Sequence, residues 1–195
     1  MYFSLVVCTE ALYKKAKKFF IKQWRSDLLD RDQNSLIWAY LVTQQMWNLW
    51  KDWFSFSEKV YSYEELYFST SHSGDLLVVA IDSKKIAVDV EYAHKRDDSL
   101  IQSVYIPNST LTQRENFYLQ WCAKECLVKF LDLTSADMQD MMISSFISNH
   151  YFIANERTFN FVLILRYMWK EYPVHLNLKD GKVLALLRDW DDRNS

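Results

Sequence analysis

Glycine is almost absent from this chain, which has only two in 195 residues, Gly74 and Gly181. The Walker-type phosphate loop and the dinucleotide-binding fingerprint both need several closely spaced glycines, because the backbone must approach the phosphates closely. Both kinds of nucleotide site are therefore excluded.

Cysteine is also scarce, with three residues at positions 8, 122 and 126. An odd number of cysteines makes a poor disulfide framework, so the composition favours a reducing compartment. Cys122 and Cys126 lie four residues apart on a predicted helix, where they could hold a metal. No further Cys or His stands at ligand spacing, so buried thiols are the favoured interpretation over a zinc site.

The chain also lacks a recognisable targeting or membrane segment. The apolar run Met1–Val7 has no basic residues before it and charge soon after it, which is typical of a first strand and not of a signal peptide. No apolar run reaches membrane-spanning length, so we expect a soluble cytoplasmic protein with no membrane partner. The formal net charge of −2 gives no general attraction to nucleic acid. Any recognition of an anion must therefore be local.

What the chain does have is apolar bulk, with half of its residues hydrophobic and 16% aromatic, enough for a full core. Hydrophobic periodicity predicts an α+β fold in two halves, 1–85 and 86–195. The first half should contain strands at 2–8, 66–70 and 76–81 and helices at 11–24 and 34–50. The second should contain a strand at 86–91, a helix at 111–131 and strands at 141–147, 151–154, 159–167, 175–178 and 183–187.

The sequence also predicts two hairpin turns and one lysine-rich helix face. Residues 82–85 read as a hairpin turn between neighbouring strands, and Asp180-Gly181 as a type I′ hairpin turn. The helix at 11–24 has one face rich in lysine. Such a face can meet a membrane surface or a partner protein, but a solvated surface helix packed on the core is the favoured interpretation.

The strand at 86–91 carries two acids on one face, because Asp89 and Glu91 are two residues apart and side chains alternate along a strand. Neighbouring carboxylates repel each other unless a cation lies between them, and oxygen ligands around an open site suit Mg²⁺. Taken alone, the pair is more simply explained as two solvated acids on an exposed strand face.

A second group lies on the helix at 111–131, where Glu125 and Lys129 are four residues apart on one face. Such a pair is ordinarily a surface salt bridge worth about 0.3–0.5 kcal/mol. The segment Ser71-His72-Ser73-Gly74 reads as a turn between strands. None of these signals is specific when taken singly.

Their combination, order and spacing are specific. The chain reads Ser71-His72-Ser73, then Ala87-Val88-Asp89-Val90-Glu91, then Trp121 to Lys129 with Lys124-Glu125 inside it. This resembles the Sfp-type 4′-phosphopantetheinyl transferases, whose pattern is a Ser-His-Ser loop, a Gly-Ile-Asp-Ile/Val-Glu strand and a Trp-x-x-Lys-Glu-x-x-x-Lys helix.

The resemblance implies two pseudo-symmetric α+β lobes and the transfer of phosphopantetheine from coenzyme A to a serine of an acyl or peptidyl carrier protein. It implies that Asp89, Glu91 and Glu125 hold Mg²⁺, and that Glu125 is also the base for the attacking serine. Lys129 would neutralise the phosphates, with Ser71, His72 and, less directly, Lys124 on the coenzyme A side. Proteins of this two-lobed type are usually monomers.

The chain departs from the pattern at the nucleotide end. Ala87 stands where the family usually has glycine. The family has an arginine on the second helix, for which Arg31 is the nearest substitute here. The family also has a Gly-Lys-Pro loop, of which only the lysine, Lys59, is present. The alternative to an active enzyme is therefore a degenerate family member that binds carrier protein or nucleotide without turnover.

Overall fold

The computed structural model describes residues 2–23, 25, 28–48, 60–63, 66–93, 111–153 and 156–189. Three α-helices lie in these ranges: α1 (Glu10–Lys22), α2 (Gln33–Asn48) and α3 (Gln113–Leu131), with a 3₁₀ helix at Ser135–Asp140. The strands are β1 (Tyr2–Val7), β2 (Val60–Tyr63), β3 (Leu66–Ser73), β4 (Leu76–Asp82), β5 (Ile86–Tyr92), β6 (Met142–Ile153), β7 (Glu156–Tyr167), β8 (Lys170–Lys179) and β9 (Lys182–Arg188).

These elements form two antiparallel sheets, each covered by helices, and the predicted α+β class is confirmed. The first sheet has the order β1-β4-β3-β2 and the second has the order β5-β9-β8-β7-β6. Helices α1 and α2 pack on one face of the first sheet, and α3 packs on one face of the second. The remaining faces meet in an apolar cluster from β4, β5 and β9, so the layers run helix, sheet, sheet, helix.

Strand β4 lies at the centre of this arrangement, and all seven of its residues are buried. Leu77, Val79 and Ile81 face the helices of the first layer, whereas Leu76, Val78 and Ala80 face the second sheet. A strand that is covered on both faces favours apolar residues on both, which is why residues 76–81 are a continuous apolar run. The seventh residue, Asp82, is buried with a charged partner.

The predicted hairpin across residues 82–85 is wrong. Strand β4 already has β1 on one edge and β3 on the other, so no edge is left for β5 to pair with. The turn instead carries the chain into the second sheet, where β5 pairs with β9 and forms the last strand. The outer edge of β5 therefore ends the second sheet.

The Ser-His-Ser segment also differs from its predicted conformation. Residues 71–73 belong to β3, and the turn consists of Gly74 and Asp75 alone, with Gly74 at φ 61°. The Asp180-Gly181 turn is confirmed, since both residues have positive φ, 50° and 69°, as a type I′ turn requires.

Helix α3 has defined ends that place its side chains. The Thr112 hydroxyl accepts from the Glu115 N–H, and the Glu115 carboxylate accepts from the Thr112 N–H, which forms a capping box. The helix ends at Asp132, in the left-handed conformation at φ 59°. Within the described residues, no helix is long and apolar enough to cross a membrane.

A buried ion pair joins the two sheets at the start of β5. Arg188, at the end of β9, donates from Nη2 to Asp82 Oδ1 at 3.0 Å, and its Nε lies 2.7 Å from Asp82 Oδ2. Burial raises the pKa of Asp82, but hydrogen bonds from Arg188 and from the Lys84 backbone, with the Arg188 charge, outweigh it. The net pKa is below the usual value.

This ion pair predicts a pH-dependent contribution to stability. Because the folded-state pKa of Asp82 is lowered, its contribution is complete above the unfolded pKa of about 3.9 and is lost as pH falls through the folded value. We expect Asp82→Asn to lower the free energy of unfolding at pH 7, with a smaller difference from wild type at pH 3, measured by urea unfolding. Glu171→Gln, which breaks an exposed pair with Arg166, is the control and should change stability by less than about 1 kcal/mol. A difference for Asp82→Asn that is equal at both pH values would contradict the assignment.

Candidate active site at the junction of the two sheets

The junction between the sheets is made by three alternate serines of β3 that face the free edge of β5. Ser69 Oγ accepts from the Val88 N–H at 3.0 Å, and Ser73 Oγ accepts from the Tyr92 N–H at 3.3 Å. An edge strand presents unpaired backbone N–H groups that must find partners when they are buried. The serine hydroxyls supply those partners where a neighbouring strand would otherwise do so.

The same serines hold the two acids of β5. Ser71 Oγ donates to Asp89 Oδ1 and Ser73 Oγ donates to Glu91 Oε2, each at 2.6 Å. Hydrogen bonds this short to a carboxylate are typical of charge-assisted bonds. Both carboxylates are therefore oriented by the first sheet although they belong to the second.

Asp89 also forms an ion pair with α3. Lys129 Nζ lies 2.8 Å from Asp89 Oδ1 and 3.2 Å from the carbonyl oxygen of Val88. The Asp89 side chain is 6% exposed and the Lys129 side chain 16%. Within the described residues, these two contacts use two of the three ammonium protons and leave one for a ligand. Ser71, Asp89 and Lys129, from three different elements, form the centre of the candidate site.

The faces of β5 are as the alternation predicts. Ile86, Val88 and Val90 point into the apolar cluster between the sheets. Ala87 packs in the core around α3, and Asp89 reaches α3 through Lys129. The two acids therefore share a face with each other and with Ala87, opposite Ile86, Val88 and Val90.

Two thiols of α3 lie beside the carboxylates, and the predicted burial of Cys122 and Cys126 is confirmed. Cys126 donates from Sγ to the Ala87 carbonyl oxygen at 3.1 Å. Burial raises the pKa of Cys122 well above its usual value, and the charges of Asp89 and Glu91 raise it further. The Cys126 pKa is raised chiefly by burial and then by Asp89. The neutral form of each thiol is therefore favoured.

The site contains carboxylate oxygens, which are the ligands that a hard divalent cation prefers. Asp89 Oδ2 is buried and has no hydrogen-bond partner among the described residues. Glu91 and Glu125 are partly buried, and each has other interactions. Within the described ranges, however, no three His, Cys, Asp or Glu side chains form a group that could hold a metal ion. The donor types fit Mg²⁺, but the three acids do not make a ready ligand set.

His72 lies on the other face of β3 from the three serines. Phe68, on the same face of the strand as His72, packs in the core beneath α1 and α2. His72 itself is exposed. Hydrogen bonds from Ser35 lower the pKa of Asp32, which directly precedes α2, and the charge of His72 lowers it further. Alternation along β3 thus separates His72 from Ser71 and from Asp89.

The remaining predicted residues lie away from this centre. Lys124 donates from Nζ to the carbonyl oxygen of Met138 at 2.9 Å, on the side of α3 that faces the 3₁₀ helix. Arg31 is partly buried in the segment before α2 and has partners of its own. Lys59 is outside the described residues.

The sequence analysis missed Ser69 and Tyr92, and it named Ser73 only as part of the Ser-His-Ser motif, with no role of its own. The Tyr92 hydroxyl donates to Asp75 Oδ1 at 2.9 Å, which ties the end of β5 to the turn after β3. The signal for the serines was their spacing, since Ser69, Ser71 and Ser73 alternate as one polar face of a strand. Reading the segment as a turn concealed that pattern.

No protein-family model matches the chain, and no curated protein matches it. The resemblance to the phosphopantetheinyl transferases therefore rests on the three motifs.

The Lys129 ion pair predicts a specific stability effect. We expect Lys129→Met to lower the free energy of unfolding by about 3 kcal/mol, because it leaves the Asp89 carboxylate buried without its cation. The double variant Asp89→Asn/Lys129→Met should recover most of that loss. Lys14→Met, which removes an exposed pair with Glu10, should cost no more than about 0.5 kcal/mol. Urea unfolding measures all three, and equal losses in the single and double variants would contradict the pairing.

The cysteines predict resistance to alkylation. Burial, with the charge of Asp75, raises the pKa of Cys8 to about 11, and both α3 thiols are also raised. Because the thiolate is the reactive form, iodoacetamide at pH 8 should leave the native protein unmodified and should add three groups after denaturation. Intact mass spectrometry provides the measurement. Rapid modification of the native protein would show that a thiol is exposed or ionised.

Proposed function

We propose that this protein is a 4′-phosphopantetheinyl transferase, which moves the phosphopantetheine group of coenzyme A onto a serine of a carrier protein. The observation that supports the proposal most directly is the pairing of Asp89 with Lys129 and Ser71. Residues from all three motifs of the family pattern meet at this point, although they are 18 and 40 positions apart in the chain.

In the proposed reaction, the carrier serine oxygen attacks the β-phosphorus of coenzyme A, and the bond from that phosphorus to the bridging oxygen breaks. The proton of the serine passes to Glu125, directly or through water, and 3′,5′-ADP leaves. In this proposal Lys129 donates a hydrogen bond to a phosphate oxygen and stabilises the charge that develops on the leaving group. The resemblance assigns Mg²⁺ to Asp89, Glu91 and Glu125, and the ion would supply positive charge to the pyrophosphate.

Two observations favour a second candidate function, the binding of coenzyme A or a carrier protein without turnover. His72 is separated from Asp89 by the alternation of β3, and the three acids do not form a ready metal-ligand group within the described residues. This candidate keeps the same site but uses Lys129 as an anion contact only.

The two candidates are separated by one assay. The full chain is incubated with Mg²⁺, coenzyme A and a panel of apo carrier proteins from fatty-acid, polyketide and peptide synthesis, and the carriers are weighed by intact mass spectrometry. The proposal predicts a phosphopantetheine adduct on at least one carrier. No adduct on any carrier, with binding of coenzyme A or of an apo carrier protein detected by calorimetry, would support the second candidate. No adduct with no binding of either would reject both.

Variants then test the residue assignments. Asp89→Asn keeps the shape of the side chain and its contact with Ser71 but removes the charge, and Glu125→Gln removes the base. Each should lower the transfer rate by about a hundredfold or more, the scale of general acid–base and electrostatic contributions. Glu171→Gln is the matched control, because Glu171 is exposed on β8, and it should transfer at the wild-type rate. Wild-type rates in Asp89→Asn or Glu125→Gln would reject the assignment.

A further inference from the structure

A cavity of about 250 Å³ lies on the side of α3 away from Asp89, between this helix and the 3₁₀ helix. It is lined by Phe117, Trp121 and Lys124 of α3 and by Ser135, Met138 and Gln139 of the 3₁₀ helix. The candidate site described above does not use it.

One wall of the cavity is flat and apolar. The rings of Phe117 and Trp121, one helical turn apart, stack with their centroids 6.0 Å apart and their planes at 24°. Met138, which is buried in the core of the second half, adds an unbranched thioether that packs well against aromatic rings. This wall suits a ring or a short alkyl chain.

The polar end of the cavity contains the ammonium group of Lys124, which has no carboxylate partner among the described residues. Lys124 is partly buried, and its Nζ donates one proton to the Met138 carbonyl oxygen at 2.9 Å, which leaves two. In the described part of the chain, no carboxylate lies within salt-bridge distance of this ammonium group, whereas Lys129 has Asp89.

A partly buried cation is costly when it is unpaired, and a carboxylate that reaches it would recover hydrogen bonds and charge neutralisation together. The cavity volume corresponds to about eight water molecules, so roughly eight to ten non-hydrogen atoms fit. We propose that this cavity is a binding site for a small monocarboxylate with an aromatic ring or a short alkyl chain, whose carboxylate pairs with Lys124 and whose apolar part lies against Phe117 and Trp121.

Phenylacetate and phenylacetamide are suitable probes, because they have nearly the same size and differ in charge. Each is titrated into the full chain by isothermal calorimetry at pH 7, in wild type, in Lys124→Met and in the control Lys14→Met, which changes an exposed lysine of α1. We expect phenylacetate to bind wild type at one site and to bind Lys124→Met at least about tenfold more weakly, the scale of a charged hydrogen bond. Lys14→Met should match wild type, and phenylacetamide should bind wild type and Lys124→Met equally and weakly.

A second variant tests the cavity independently of the charge. Ser135 is exposed at the start of the 3₁₀ helix, so Ser135→Phe should fill the cavity without loss of the fold, which a thermal unfolding scan checks. Phenylacetate should not bind this variant. The proposal is overturned if wild type does not bind phenylacetate at millimolar concentration, if acid and amide bind equally well, or if binding persists unchanged in both Lys124→Met and Ser135→Phe.

Discussion

The contact between β3 and the free edge of β5 is the interaction on which the rest of the site depends. Strand β5 ends the second sheet, and its outward N–H groups would be buried without partners if the serines of β3 did not accept from them. Because Ser71 and Ser73 also bind Asp89 and Glu91, the contact that joins the sheets fixes the acids as well. The position of the candidate site is thus a consequence of how the two halves of the chain meet.

The buried ion pair of Asp89 with Lys129 has a desolvation cost, and this cost bears on whether the two residues are functional. Taking a carboxylate and an ammonium out of water requires several kcal/mol per ion, and their attraction often does no more than offset it. Apolar residues of similar volume at positions 89 and 129 would be expected to give equal or greater stability. Since apolar residues would stabilise the fold equally well, the presence of ionised groups here is a physical reason to regard Asp89 and Lys129 as functional.

Much of the fold could be predicted from local patterns, and the failures are of two kinds. At Ser71–Ser73 a local strand pattern was read as a turn. The other failures concern contacts between distant parts of the chain. The alternation at Ile86–Tyr92 correctly assigned opposite faces to the acids and the apolar residues, and periodicity found α3 to within two residues at its start. The turn at 82–85 has hairpin chemistry, but no local pattern shows that both edges of β4 are occupied. The ion pair of Asp82 with Arg188, 106 residues apart, has no sequence signal either. Local residues determine strands and turns, whereas strand neighbours depend on distant parts of the chain.

Helix α3 presents two lysines to different electrostatic surroundings. Positions 124 and 129 are separated by about 140° around the helix axis, so the two ammonium groups serve opposite sides of it. Lys129 is already neutralised by Asp89, and an incoming phosphate must share it with that carboxylate. A phosphate bound to Lys129 would weaken the neutralisation of Asp89 by that lysine. Asp89 Oδ2 also has no hydrogen-bond partner among the described residues. In the proposed transferase, electrostatics would therefore favour the binding of a pyrophosphate together with a divalent cation over the binding of either one alone.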